Sequence, residues 1–125
     1  MRRIVTLAAV VALGAFALAG CGSESGAGPY VEPKGPPVKT FEISAENFSF
    51  TPDQLRAPAG ILQFDLTSDR GIHDLVIEGV PGFIVEVGSG DTASRKVKLE
   101  PGTYTFYCSL PGHRTQGMEG TLIVE

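Results

Sequence analysis

From Lys39 onward, apolar and polar positions alternate with a period of two. Phe41 and Ile43 are separated by Glu42, and Leu62, Phe64 and Leu66 by Gln63 and Asp65. His73, Leu75 and Ile77 fall on one face, as do Tyr104, Phe106 and Cys108. Val97 and Leu99 alternate with Lys96 and Lys98, and Leu122 and Val124 close the chain. This pattern places successive side chains on opposite faces of a strand. No stretch keeps an apolar period of about 3.6 over several turns without meeting Gly or Pro. Turn-forming runs separate the strands: Pro58-Ala59-Gly60, Asp69-Arg70-Gly71, Gly79-Val80-Pro81-Gly82, Gly88-Ser89-Gly90-Asp91 and Pro101-Gly102. Short strands at this spacing predict an all-β fold, an antiparallel β-sandwich whose two inner faces make one core.

Composition bounds the picture further. A chain of 125 residues makes one small domain. Its 16 Gly and 9 Pro fit many turns between short strands. No run of like charge resembles a nucleic-acid surface, so that class of partner is excluded. Without residues 1–20 the chain holds 8 basic and 14 acidic residues, a net charge of −6, which weakly favours basic protein partners.

The first 38 residues do not follow the strand pattern. Arg2 and Arg3 precede an apolar run from Ile4 to Ala19, interrupted by Thr6 and Gly14. Leu18-Ala19-Gly20-Cys21 then ends the run, as in a secretory signal. The cysteine directly after these small residues resembles the bacterial lipobox. That likeness implies a lipoprotein signal peptide over residues 1–20 and lipidation of Cys21. A plain cleaved signal and a retained membrane helix are the alternatives, and all three place the rest of the chain outside the cytoplasm. The expected location is therefore extracytoplasmic, lipid-anchored on the periplasmic side or at the cell surface. Residues 21–38 read as the lipidated cysteine followed by a tether. Ten of the 17 residues from Gly22 to Val38 are Gly, Ser or Pro. Such a coil spans roughly 20–25 Å and reaches roughly 50–60 Å when extended. Residues 39–125 form the remaining domain.

The candidate chemistry lies in Tyr107-Cys108-Ser109-Leu110-Pro111-Gly112-His113-Arg114-Thr115-Gln116-Gly117-Met118. A thiol, an imidazole and a thioether recur at even spacing in a Gly/Pro-rich loop between two predicted strands. The other histidine, His73, starts an earlier strand. Taken singly, each of these residues is more often packing or surface. Taken together, two His, one Cys and one Met are the donors of a blue-copper electron-transfer site, His₂Cys with a long axial Met. Cu(I) favours soft sulfur and Cu(II) favours imidazole nitrogen, so this set suits both oxidation states. A disulfide between Cys21 and Cys108 is disfavoured by these separate roles. With His73 and His113 committed to metal, no free histidine base remains for an enzyme. Extra copper ligands for an oxidase or reductase are also missing.

At these residues the sequence resembles the cupredoxin family, in particular its plastocyanin-, azurin- and halocyanin-like members. The likeness covers about Val38 to Glu125. It rests on Asn47-Phe48-Ser49-Phe50-Thr51-Pro52, on Gly71-Ile72-His73-Asp74-Leu75-Val76, and above all on Tyr107-Cys108 through Met118-Glu119-Gly120-Thr121-Leu122. The resemblance implies a Greek-key β-sandwich holding one type 1 copper ion, with His73, Cys108 and His113 as equatorial ligands and Met118 as axial ligand. It also implies a monomer that shuttles single electrons between redox protein partners. A copper-binding or copper-delivery protein of the cell envelope is the alternative. The spacing of the ligand loop resembles a mixture of the plastocyanin and azurin patterns. Asp74 stands where many members carry Asn. Its carboxylate is placed to accept a hydrogen bond from Ser109, and its negative charge should lower the potential. Arg114 and Glu119 read as solvated loop charges.

Overall fold

The computed structural model describes residues 29–125. The signal segment over residues 1–20, Cys21 and the start of the tether lie outside these residues. Among the described residues no helix is long and apolar enough to cross a membrane.

Nine strands make two sheets: β1 Lys39–Glu46, β2 Ser49–Thr51, β3 Gln54–Ala57, β4 Gly60–Ser68, β5 His73–Ile77, β6 Ile84–Val87, β7 Thr92–Leu99, β8 Gly102–Tyr107 and β9 Glu119–Val124. The first sheet runs β2-β1-β4-β7 and the second β3-β9-β8-β5-β6. The expected β-sandwich is present, but its sheets are mixed rather than wholly antiparallel. β1 pairs parallel to β4, and β3 pairs parallel to β9. The reason is a crossover. After β2 the chain leaves the first sheet, adds β3 to the edge of the second, and returns as β4 beside β1. A strand that returns by crossover lies parallel to its neighbour, whereas a tight hairpin gives antiparallel strands.

The period of two sets what is buried. Phe41, Ile43 and Ala45 of β1 and Leu62, Phe64 and Leu66 of β4 point inward, and all are under a tenth exposed. Leu75, Ile77, Val85, Val87, Phe106, Leu122 and Val124 face them from the second sheet. Aromatic rings join the layers. Phe64 lies between Phe41 and Phe83, at centroid distances of 5.3 and 5.8 Å, and Phe50 meets Phe106 at 5.5 Å. Gly120 faces Phe106 across β8 and β9, and a Cβ there would collide with that ring and with the Asp53 carbonyl. Burial of this apolar surface is the main stabilising term.

The segment from Tyr30 to Val38, read as tether from its composition, instead lies against the sandwich. β7 is an edge strand, so the outward N–H and C=O of Lys96 have no strand to pair with. The Tyr30 hydroxyl donates to the Lys96 carbonyl at 2.6 Å, and the Lys96 N–H donates to a Glu32 carboxylate oxygen at 3.0 Å. Lys96 Nζ donates to the Gly35 carbonyl at 3.1 Å, and Val38 N–H to the Ile61 carbonyl at 2.7 Å. The Tyr30 ring meets Phe83 edge-on at 5.5 Å, with the Arg95 guanidinium 5.0 Å from its centroid. Side-chain atoms thus do at the β7 edge what another strand would do. Composition hid this because one tyrosine and one glutamate carry it within a Pro/Gly-rich run.

Tyr30→Ala removes both the ring contact and the edge hydrogen bond, and should lower unfolding free energy by about 2–3 kcal/mol in urea titrations. The same variant should be cut faster by trypsin after Lys34, because a docked segment must detach before a protease can bind it.

Candidate metal centre

His73 is the first residue of β5 and is fully buried. The turn before it is fixed by Ser68, whose hydroxyl lies 3.0 Å from the Arg70 carbonyl and 2.9 Å from the Gly71 carbonyl. Gly71 has φ +80°, a conformation that L side chains rarely adopt, and a Cβ there would sit 3.6 Å from His73 Nε2. Ser68 was not singled out from the sequence. The signal was its place in the inward row Leu62, Phe64, Leu66, Ser68, where a polar residue needs a partner.

The other donors arrive on the loop between β8 and β9. Cys108 follows β8 directly and is buried. Its N–H donates to the Met118 carbonyl at 3.1 Å, which closes the loop at its base. His113 N–H donates to the Leu110 carbonyl, and the Gln116 and Met118 N–H groups both donate to the His113 carbonyl, all at 3.1 Å. A short 3₁₀ turn over Arg114–Gln116 ends at Gly117, whose φ of 102° reverses the chain. Met118 is thereby returned to the interior, where it is fully buried.

The fold brings the three expected equatorial donors together. Ligand atoms of His73, Cys108 and His113 all lie within 4.8 Å of one another. Cys108 Sγ is 3.4 Å from His113 Nδ1, and the two imidazole centroids are 5.2 Å apart. Bonds of about 2.0–2.3 Å to nitrogen and sulfur let one ion reach both of the closer atoms. Met118 is buried on the same loop, its backbone bonded to Cys108 and His113. His113 is half-buried, while Cys108 and His73 are enclosed. Phe48, another residue not singled out as part of the site, meets the His113 ring edge-on at 5.1 Å.

The donor chemistry fits a soft cation. Both ring nitrogens of His73 are buried, and neither makes a well-formed hydrogen bond, although the Arg70 backbone lies close enough to act on the ring. Leaving such groups unmatched costs about 1–3 kcal/mol each, so native interiors rarely do it. Burial, and then the neighbouring His113, hold the His73 pKa below its ordinary value, which keeps it neutral and ready to donate a lone pair. Burial also pushes the Cys108 thiol up, so a nearby positive charge is needed to make it a thiolate. Two imidazoles and one thiol in an enclosed, convergent set, with a thioether on the same loop, are the donors of a blue-copper site.

Asp74 and Ser109 meet as expected. Asp74 is 3% exposed, and its two carboxylate oxygens accept from the Ser109 N–H and the Ser109 hydroxyl. This ties the residue after Cys108 to the residue after His73, and so links the two halves of the site.

Comparison with known proteins agrees with this geometry. Residues 38–125 match the model of the copper binding proteins of the plastocyanin/azurin family. A plastocyanin from Dryopteris crassirhizoma is 36% identical over 95 residues, covering 63% of this chain and 90% of the relative. Among solved structures, auracyanin B superposes with a TM-score of 0.64 at 20% identity, covering 78% of this chain and 96% of its own. Dithionite-reduced auracyanin from Roseiflexus castenholzii gives 0.57 at 23% identity, covering 73% and 99%. Auracyanin A, a blue copper protein from Chloroflexus aurantiacus, gives 0.59 at 18% identity, covering 69% and 98%. At these identities the structural likeness concerns the fold.

Asp74→Ala should cost about 1–2 kcal/mol of stability, since it removes the carboxylate that accepts from both Ser109 donors. Asp74→Asn keeps one acceptor and should cost less. By removing a negative charge beside the site it should raise the reduction potential of the copper-loaded protein, as read by voltammetry.

Proposed function

Since the chain belongs to the plastocyanin/azurin family of copper-binding proteins, we propose that it is a membrane-anchored extracytoplasmic carrier of single electrons, acting as a monomer and not as an enzyme. The observation that carries the reading is the convergence of His73, Cys108 and His113, with a buried His73 imidazole whose lone pair no protein donor takes. His73, Cys108, His113 and Met118 would hold the ion. Copper supplies a one-electron couple there.

The protein's own part is to keep the donors still. His73 is fixed by β5 and the Ser68-braced turn, and Cys108 by β8, Asp74 and the Met118 carbonyl. Donors held by a sheet on one side and a cross-bonded loop on the other need little rearrangement when the charge changes. His113 is the donor that reaches the surface. Phe48 lies against it, and the 59% exposed Ile72 adjoins His73. This apolar rim suits brief docking of a redox partner, with transfer through the imidazole edge. Both histidines are used in the site, so no free histidine is left to act as a general base.

Adding Cu(II) to the purified protein should give an intense visible charge-transfer band that a mild reductant bleaches reversibly. Cys108→Ser should abolish the band. A colourless complex that yields its copper readily to a chelator would instead favour copper delivery.

Anchoring rests on the small residues before Cys21 and is tested separately. In a bacterial host that lipidates such proteins, the chain should sediment with membranes. Cys21→Ser should lose its labelled fatty acid and appear in the soluble fraction.

A further inference from the structure

Arg114 was expected to be a solvated charge, yet it meets an aromatic ring and two carboxylates. Its guanidinium lies 4.0 Å from the centroid of the Tyr107 ring. Its Nε is 3.0 Å from Glu119 Oε2, and an NH₂ nitrogen is 3.5 Å from Glu78 Oε2. Each partner adjoins a ligand-bearing segment. Tyr107 precedes Cys108, Glu119 follows Met118, Arg114 follows His113, and Glu78 follows the last residue of β5, the strand that begins at His73. Tyr107 and Glu119 are also direct partners in the β8–β9 register, with Val76 of β5 opposite Tyr107 on the other side. The guanidinium therefore spans three adjacent strands on the outer face of the second sheet.

We infer that Arg114 is a positioning residue of the copper site, a clasp that holds the segments carrying Cys108, His113, Met118 and His73 in register from outside. The ligand loop needs one. Gly112 and Gly117 both have positive φ, and the 3₁₀ turn buries no residue of its own. Apart from its backbone bonds, the part of the loop from Pro111 to Gly117 is tied to the sheet by few side chains. A single exposed ion pair adds little, because water competes and long side chains lose freedom. Arg114 differs in combining a stacked ring with two carboxylates around one planar group, and only 40% of its side chain is exposed. Lysine cannot copy this, since a rounded ammonium lacks the flat face and the fork of donors.

The test uses the copper-loaded full chain and its metal-free form, with Arg114→Gln and Arg114→Lys. In Arg114→Gln a chelator should strip copper roughly tenfold faster than from the wild type, and Arg114→Lys should fall between. In the metal-free protein the Gln116, Gly117 and Met118 amides should exchange faster by a similar factor, while those of Leu62 and Val97 in the first sheet stay unchanged. Salt at about 1 M should speed copper loss from the wild type and leave Arg114→Gln unaffected. The clasp is overturned if both variants release copper and exchange loop amides at wild-type rates. It is also overturned if every amide of both sheets speeds up equally, which would mark a general loss of stability. The exchange measurement needs no metal, so it separates failure of the clasp from failure of the copper assignment.

Discussion

A buried imidazole whose lone pair no protein donor takes is the constraint around which the site is built. His73 sits at the head of β5 with no well-formed hydrogen bond to either nitrogen, the Arg70 backbone acting on the ring only weakly. Next to it Cys108 is sealed from water and disfavours the charge it would carry as a thiolate. Its Sγ meets His113 Nδ1 at 3.4 Å. A soft ion among these donors would take an imidazole lone pair and stabilise the thiolate. The metal is thus an expected part of the folded state rather than an addition to it. Loading should stabilise the fold in proportion to how much more tightly the folded chain binds copper than the unfolded one.

That arrangement demands that donors from distant parts of the chain stay in register, and the fold meets the demand at three levels. β5 and β8 are neighbours in the second sheet, so His73 and Cys108 rest on one rigid layer. The Cys108 and Met118 backbones close the ligand loop on itself, and Asp74 links Ser109 to β5. Outside, Arg114 crosses the same strands. His113 is the one ligand that is not fully enclosed. It rises from a loop rich in Gly and Pro and reaches the surface, where its edge touches Phe48.

What could be read from the sequence follows from how local each signal was. The donor set was legible because Cys108, His113 and Met118 share one short loop and because the chain offers so few other candidates for the fourth position. The long strands were legible because β1 and β4 alternate cleanly. β3 and β6 were not, because four residues are too few for a period to stand out. The parallel pairing was hidden because it depends on where the chain crosses between sheets, which no local pattern encodes. The strap from Tyr30 to Val38 was missed because it binds an edge through side chains and has no apolar face of its own. The partners of Arg114 were hidden for a related reason. Tyr107, Glu119 and Glu78 are scattered in sequence and adjacent only after β5, β8 and β9 have paired.

Asp74 brings these strands of reasoning together, because it serves structure and charge at once. As a link, its carboxylate is better than an amide, since both oxygens accept and both Ser109 donors are satisfied. As a charge, it lies beside a ligand and almost out of water, where fields are weakly screened. A carboxylate there would favour Cu(II) over Cu(I) in a copper-loaded site, because it would offset the charge of the oxidised ion. A neutral asparagine would relax that bias and also surrender an acceptor. An aspartate here ties the rigidity of the ligand frame to the potential at which it works, so neither can change without the other.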